Sequence, residues 1–256
     1  MKRPKFAPFL ALILFFAAVP SRAAEPAAAD DDLASDLPTF LEKYCAANGG
    51  RENLLSIRSL RMEATLTMVN GTKGGMIYIS QLPGYMRSVW SGPRGETVRR
   101  GFNGVISWEL RTRPDGSEVG SVGTSIPGPV FDWVLANPAA VGAELEFLPV
   151  ERSDRSEAYH VRARYADGRL KDYYLNTVTL AESKVVETAI DGTVRTVVID
   201  KSMKRNGIWF PQVQREMDAS GAEVLSIEVS DVQLNIGLLP VFFDPPKKLL
   251  DPVPGR

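Results

Sequence analysis

The chain has a single cysteine, Cys45, and a single histidine, His160. One thiol excludes an intrachain disulfide in any compartment, so no covalent staple supports the fold. One imidazole excludes a multi-histidine metal site, and the sequence places no acidic partners beside it. His160 lies on the polar alternate of Tyr159-His160-Val161-Arg162-Ala163-Arg164-Tyr165. Two cationic neighbours on that face make it a poor cation ligand and a better hydrogen-bonded strand residue. The chain also lacks a Gly-x-Ser-x-Gly elbow, a Cys-x-x-Cys pair, a phosphate-binding loop and a Gly-x-Gly-x-x-Gly turn. Asp and Glu fall on polar strand faces and in turns, so a hydrolase using scattered carboxylates is the weakest reading. No catalytic set, metal site or cofactor is read here, and the chain is not expected to be an enzyme. An excess of one charge is missing too, with 30 Lys plus Arg against 31 Asp plus Glu. Without basic surplus, nucleic acid is excluded as a partner.

Long apolar runs are equally scarce. The longest spans residues 6–19, behind Lys2, Arg3 and Lys5 and ahead of Ser21-Arg22-Ala23. It is too short to cross a bilayer and has the n-region, h-region and small-x-small order of a cleavable signal peptide. Cleavage after Ala23 is predicted, with export to the periplasm. Removing residues 1–23 takes away Lys2, Arg3, Lys5 and Arg22 and no acid, which leaves 26 basic against 31 acidic residues. Residues 24–35 read as a flexible leader that includes Asp30-Asp31-Asp32, residues 36–246 as one domain, and residues 247–256 as a Pro-rich tail.

What is present is periodicity. Leu37, Phe40, Leu41, Tyr44 and Cys45 fall on one helical stripe, with Asp36 as cap, Pro38 in the first turn and Asn48-Gly49-Gly50 as the stop. Cys45 on that stripe reads as buried and inert. Residues 51–57 add a second short helix. From Leu60 the period becomes two: in Leu60-Arg61-Met62-Glu63-Ala64-Thr65-Leu66-Thr67-Met68 each even position is apolar or small. Eleven further runs of this kind extend to residue 234. Asn70-Gly71, Asn103-Gly104, Asp115-Gly116, Asp167-Gly168 and Asp191-Gly192 separate many of them and predict type I′ hairpins. Asp218-Ala219-Ser220-Gly221 reads as a longer turn. The fold expected is α+β, mainly β: an antiparallel meander curled into a barrel or a strongly curved half-barrel, with the N-terminal helix across its mouth or concave face.

Between Gly120 and Gly142 neither period holds. This charge-poor segment reads equally as a mobile lid or as a plug in one end of the barrel. Lid candidates are Phe40, Leu41 and Tyr44 on the helix and Phe131, Trp133, Val134 and Leu135 in the segment. Candidates for an apolar cavity are Leu60, Met62, Leu66, Trp90, Ile106, Trp108, Leu110, Tyr159, Val161, Tyr165, Leu225, Ile227 and Val229, all on inward-type alternates. Arg87, Arg94, Arg99 and Arg100 give local basic charge, read as solvated strand arginines rather than a docking patch.

The order of these pieces resembles the superfamily of periplasmic lipoprotein carriers and sorting proteins (LolA, LolB and relatives). It runs from about Leu37 to Pro245. The residues that carry it are Leu54-Leu55-Ser56-Ile57-Arg58-Ser59-Leu60 after Gly49-Gly50, then Gln81-Leu82-Pro83-Gly84-Tyr85-Met86-Arg87 and Phe102-Asn103-Gly104-Val105-Ile106-Ser107-Trp108. Asp172-Tyr173-Tyr174-Leu175-Asn176, Gly207-Ile208-Trp209-Phe210-Pro211 and the stretch from Asn235 to Phe243-Asp244-Pro245 complete it. The resemblance implies an unclosed antiparallel barrel, an apolar cavity that receives acyl chains, a helical lid, no cofactor and no catalysis. The partners it implies are lipid or acylated lipoprotein, with an inner-membrane transporter or outer-membrane acceptor, served by a monomer. The chain departs from LolA at Leu82, where that carrier has an Arg that helps latch its lid. A related alternative is an RseB-like interaction or sensor module that regulates a membrane partner.

Overall fold

The computed structural model describes residues 33–123, 133–153 and 156–250. The expected signal peptide, the aspartate run 30–32, Phe131 and the end of the Pro-rich tail lie outside the described residues. Two helices come first. The first, α1 (Leu37–Ala47), begins where Asp36 accepts a hydrogen bond from the Thr39 amide at 2.8 Å, with proline in its first turn. It stops where Gly49 and Gly50 take φ of 80° and 96°, a region closed to most side chains. The second, α2 (Arg51–Ser56), follows at once.

The alternating runs then form one antiparallel sheet of thirteen strands among the described residues. In chain order they are β1 (Ser59–Met68), β2 (Lys73–Gln81), β3 (Tyr85–Ser91), β4 (Thr97–Phe102), β5 (Ser107–Thr112), β6 (Glu118–Gly123), β7 (Ala143–Ser153), β8 (Ser156–Tyr165), β9 (Leu170–Asn176), β10 (Glu182–Thr188), β11 (Val194–Arg205), β12 (Ile208–Met217) and β13 (Glu223–Leu234). Across the sheet the order is β6-β5-β4-β3-β2-β1-β13-β12-β11-β10-β9-β8-β7. Two meanders, β1–β6 and β7–β13, are therefore zipped together by the β1–β13 pair. The outer strands β6 and β7 do not pair, so the sheet is unclosed. Laid flat, thirteen strands would span roughly 58 Å. The 19 residues between Gly123 and Ala143 must connect the two edges, and residues 138–141 of them are wound into a 3-10 turn. The sheet curls, since side chains from strands as far apart as β4 (Arg100) and β9 (Lys171 and Tyr173) line one cavity.

Two expectations are corrected. The segment from Gly120 was expected to carry no strand, yet β6 runs from Glu118 to Gly123. All six of its residues are exposed, so no buried face imprints an alternation on the sequence. Asn103-Gly104 is not a type I′ turn, with positive φ at Gly104 alone, and neither are the hairpins at Asn70-Gly71, Asp115-Gly116, Asp167-Gly168 and Asp191-Gly192. Only the glycine has positive φ in each, whereas type I′ needs it at both central residues. They are three-residue loops, as in Met68 to Thr72, where the Gly71 amide donates to Met68 O and the Met68 amide to Thr72 O. Asn206-Gly207 does place both residues at positive φ, 50° and 81°, and joins β11 to β12.

The strand register divides the sheet into two faces, each with its own core. On the concave face, Phe40 of α1 is fully buried and its ring lies 5.5 Å from Phe147 and 5.3 Å from Tyr159. Tyr159 also accepts the Ala34 amide at 2.8 Å. Buried Asn48 ties the helix end to β12, donating to Tyr44 O at 2.9 Å and accepting the Trp209 amide at 3.0 Å. On the convex face, the 3-10 turn Pro240–Phe243 clamps β3 to β5. Trp108 donates its indole N–H to Phe243 O at 2.9 Å, Arg87 donates to Phe242 O at 2.9 Å, and Tyr85 stacks on Phe243. The start of the Pro-rich tail lies here too, with Lys248 paired to Glu118.

Candidate functional site

The concave face holds a cavity of about 460 Å³, within the range of small-molecule sites. Its floor is built by the β1–β13 zipper and its neighbours. Leu60, Met62 and Leu66 from β1, Met76 and Tyr78 from β2, and Leu225 and Ile227 from β13 all point to one side, because each stands an even number of residues from the next along its strand. Tyr44 and Asn48 at the end of α1 and Trp133, Val134 and Leu135 border the cavity. Val134 and Leu135 are buried, and Arg51 of α2 donates to Ala136 O, which fastens this part of the segment to the helices. Residues 134–136 of the segment are thus packed against the helices.

Most of the predicted cavity residues fall into three groups. Leu60, Met62, Leu66, Leu225 and Ile227 line the cavity, as do Tyr44, Trp133, Val134 and Leu135 from the lid set. Tyr159, Val161 and Val229 share the concave face but are closed core, with Tyr159 and Val161 fully buried. Phe40 belongs to the same core and Leu41 is half-buried beside it. Trp108 and Leu110 lie on the opposite, convex face: Trp108 pairs with Gly101, one residue out of step with cavity-lining Arg100. Alternation locates a buried face without saying which of two cores buries it. Ile106 ends the turn before β5, where Asn103 accepts its amide. Tyr165 carries the Arg169 guanidinium 4.7 Å above its ring. Trp90 lines a second hollow of about 530 Å³ near the β3–β4 and β5–β6 hairpins, with Val98, Arg111 and Val119.

The four arginines do not form a patch. Arg87 sits on the convex face over Phe242, Arg99 pairs with Glu118, and Arg94 is exposed in a turn with Glu96. Arg100 turns inward, 2.6 Å from Glu109, which it shares with Arg111. Leu82 donates its amide to Arg58 O at 2.9 Å.

Sequence reasoning missed the charged side of the concave face. Lys171 of β9, Glu187 of β10, Arg195 of β11 and Glu216 of β12 form one row across four adjacent strands, with separations of 3.3, 3.4 and 2.7 Å. Burial pushes the Glu187 carboxyl up, but the Lys171 and Arg195 charges outweigh it and hold it below its ordinary value. Burial also pushes Arg195 down, and Glu216 together with Glu187 more than restores it. These residues alternate in the sequence like solvent-facing ones, so nothing local marks them. His160 lies on the convex face, stacked on Tyr174 and 2.9 Å from Asp172, which also takes Arg162 at 2.8 Å. Burial raises the Asp172 carboxyl, and Arg162 and His160 together hold it below the usual carboxylate range. Cys45 is buried, and that burial pushes its thiol up. No three His, Cys, Asp or Glu among the described residues are grouped to hold a metal ion. Among them, no helix is long and apolar enough to cross a membrane.

No family model matches the sequence, and no curated protein matches it. Solved structures do match. A DUF1329 family protein from Desulfovibrio piger ATCC 29098 superposes with a TM-score of 0.51 at 11% identity, over 80% of this chain and 97% of the other. A putative outer membrane lipoprotein-sorting protein domain from Vibrio parahaemolyticus gives 0.50 at 12% identity, over 84% and 97%. The fold is shared with a lipoprotein-sorting domain. A LolA superfamily protein from Nitrosomonas europaea is also similar, at a TM-score of 0.48 and 16% identity over 83% and 99% of the two chains.

Proposed function

We propose that this protein is a periplasmic carrier or chaperone that holds the acyl chain of a lipid or lipoprotein in its concave cavity and moves it towards the outer membrane. The observation that carries the reading is the cavity itself, floored by Leu60, Met62, Leu66, Leu225 and Ile227 and bordered by Tyr44 and Trp133. Each buried methylene is worth about 0.8 kcal/mol, so a long chain gives up roughly 10 kcal/mol in leaving apolar surroundings for water. A sheltered slot removes that barrier without any chemistry. Export of the chain by residues 1–23 places the slot between two membranes, where such cargo needs one. The likeness to a lipoprotein-sorting domain supports the same use of the fold.

Native mass spectrometry of protein purified from the periplasm, with lipid extraction of the same sample, tests this. A stoichiometric acylated species is expected. Met62→Trp puts an indole into the cavity floor and is expected to lower occupancy at least tenfold in a protein that still folds. Undiminished occupancy in that variant would move the site elsewhere. An empty protein that also refuses added lipid would sink the carrier reading in favour of an interaction module for a membrane partner.

A further inference from the structure

Resting on the carrier reading, we infer that the cavity selects a lipid whose head group carries both a phosphate and an ammonium, seated on the row Lys171, Glu187, Arg195 and Glu216. Three of these four side chains, those of Lys171, Arg195 and Glu216, line the cavity. The row is ordered by register. Lys171 stands opposite Glu187, and Glu187 opposite Arg195, so the charges alternate in sign across β9 to β12. Each side chain keeps between 22% and 35% of its surface open, so each has an uncovered side left to offer. The row ends where the apolar floor begins, because Glu216 is the register partner of Leu225. A molecule with alkyl chains over β1, β2 and β13 therefore meets the row with its polar end.

The balance of the row decides which polar end. Partly buried charges are tolerated when paired, but apolar residues of similar volume hold a core at least as well. For an alkyl chain the row adds nothing. A phosphate alone would meet Arg195 and Lys171 while lying against two carboxylates, and an uncharged head would satisfy none of the four. A head with both signs lets a phosphate oxygen accept from the Arg195 fork while its ammonium donates to Glu216 on the next strand, about 5 Å away. Arg195 and Glu216 both line the cavity, so each sign of the head meets its opposite there.

The test presents delipidated full-length protein with vesicles of phosphatidylethanolamine, phosphatidylglycerol or diacylglycerol carrying identical acyl chains, and counts bound copies by native mass spectrometry. Phosphatidylethanolamine is expected to bind about tenfold better than either alternative, the size of one or two charge-assisted hydrogen bonds. The charge-removing pair Arg195→Gln with Glu216→Gln is expected to erase that preference, bringing phosphatidylethanolamine down to the level of diacylglycerol in the same variant. Equal binding of all three by the unaltered protein overturns the head-group inference and leaves the carrier reading standing. Preference for phosphatidylglycerol also overturns it, and would place the head on the net-positive flank of Arg100, Glu109 and Arg111. Binding of none overturns both.

Discussion

Replacing Phe40 with alanine probes what holds α1 to the sheet. The helix has 11 residues, and isolated helices shorter than about 12–15 residues are marginal in water. Its position therefore depends on what its buried side touches. Phe40 has no exposed surface and packs on Phe147 at 5.5 Å, on Tyr159 at 5.3 Å and on Tyr44 at 6.2 Å. Truncating a buried Phe to Ala costs about 3–5 kcal/mol, set against a total stability of about 5–15 kcal/mol. With a urea slope of about 2 kcal/mol per M, the unfolding midpoint falls by roughly 1.5–2.5 M. Cys45 supplies a second readout. Its thiol is buried and pushed up by that burial, so a thiol reagent labels it slowly in the unaltered protein and quickly once the helix loosens. Phe40→Leu keeps most of the volume and should cost only about 1–1.5 kcal/mol. A loss below about 1 kcal/mol in Phe40→Ala, with unchanged Cys45 labelling, would show that the aromatic cluster does not anchor the helix.

Two further outcomes follow from particular contacts. A methyl group at Gly101 would run into the indole of Trp108, whereas one at Gly75 meets nothing within 4 Å. Gly101→Ala should therefore lower stability by about 1–3 kcal/mol, and Gly75→Ala should stay within about 0.5 kcal/mol, by thermal melting. Asp172 is held below its ordinary value in the folded state by Arg162 and His160. Its ion pairs thus stabilise the fold above the unfolded-state value of about 4, and that stabilisation is lost as pH falls through the lowered one. Asp172→Asn should cost about 1–3 kcal/mol at pH 7, and the gap to the unaltered protein should close below pH 4. A gap constant from pH 7 to pH 3 would refute the assignment.

The helix was legible because its signals are local. Asp36, Pro38 and Gly49-Gly50 each act on the backbone within a turn of themselves, and the structure uses all of them. Strands with one buried face, such as β1, were legible for the same reason. β6 was not, because it is exposed along its whole length and neither face leaves an apolar mark. The turn type failed at Asp115-Gly116 because a dipeptide signals a bend, while loop length and register decide its geometry.

The sequence by itself determined the antiparallel meander, the leading helix, the buried thiol and an apolar face along most strands. Each follows from neighbours a few residues apart. Only the tertiary structure decided which face belongs to which core. Trp108 and Leu110 read like Leu66 and Ile227, yet the chain returns after β13 to lay Phe243 over the convex side and claims them there. It also decided that Lys171, Glu187, Arg195 and Glu216 meet in one row at the edge of the cavity. Their meeting depends on the pairing of four strands, and pairing is a property of the whole sheet rather than of any stretch within it.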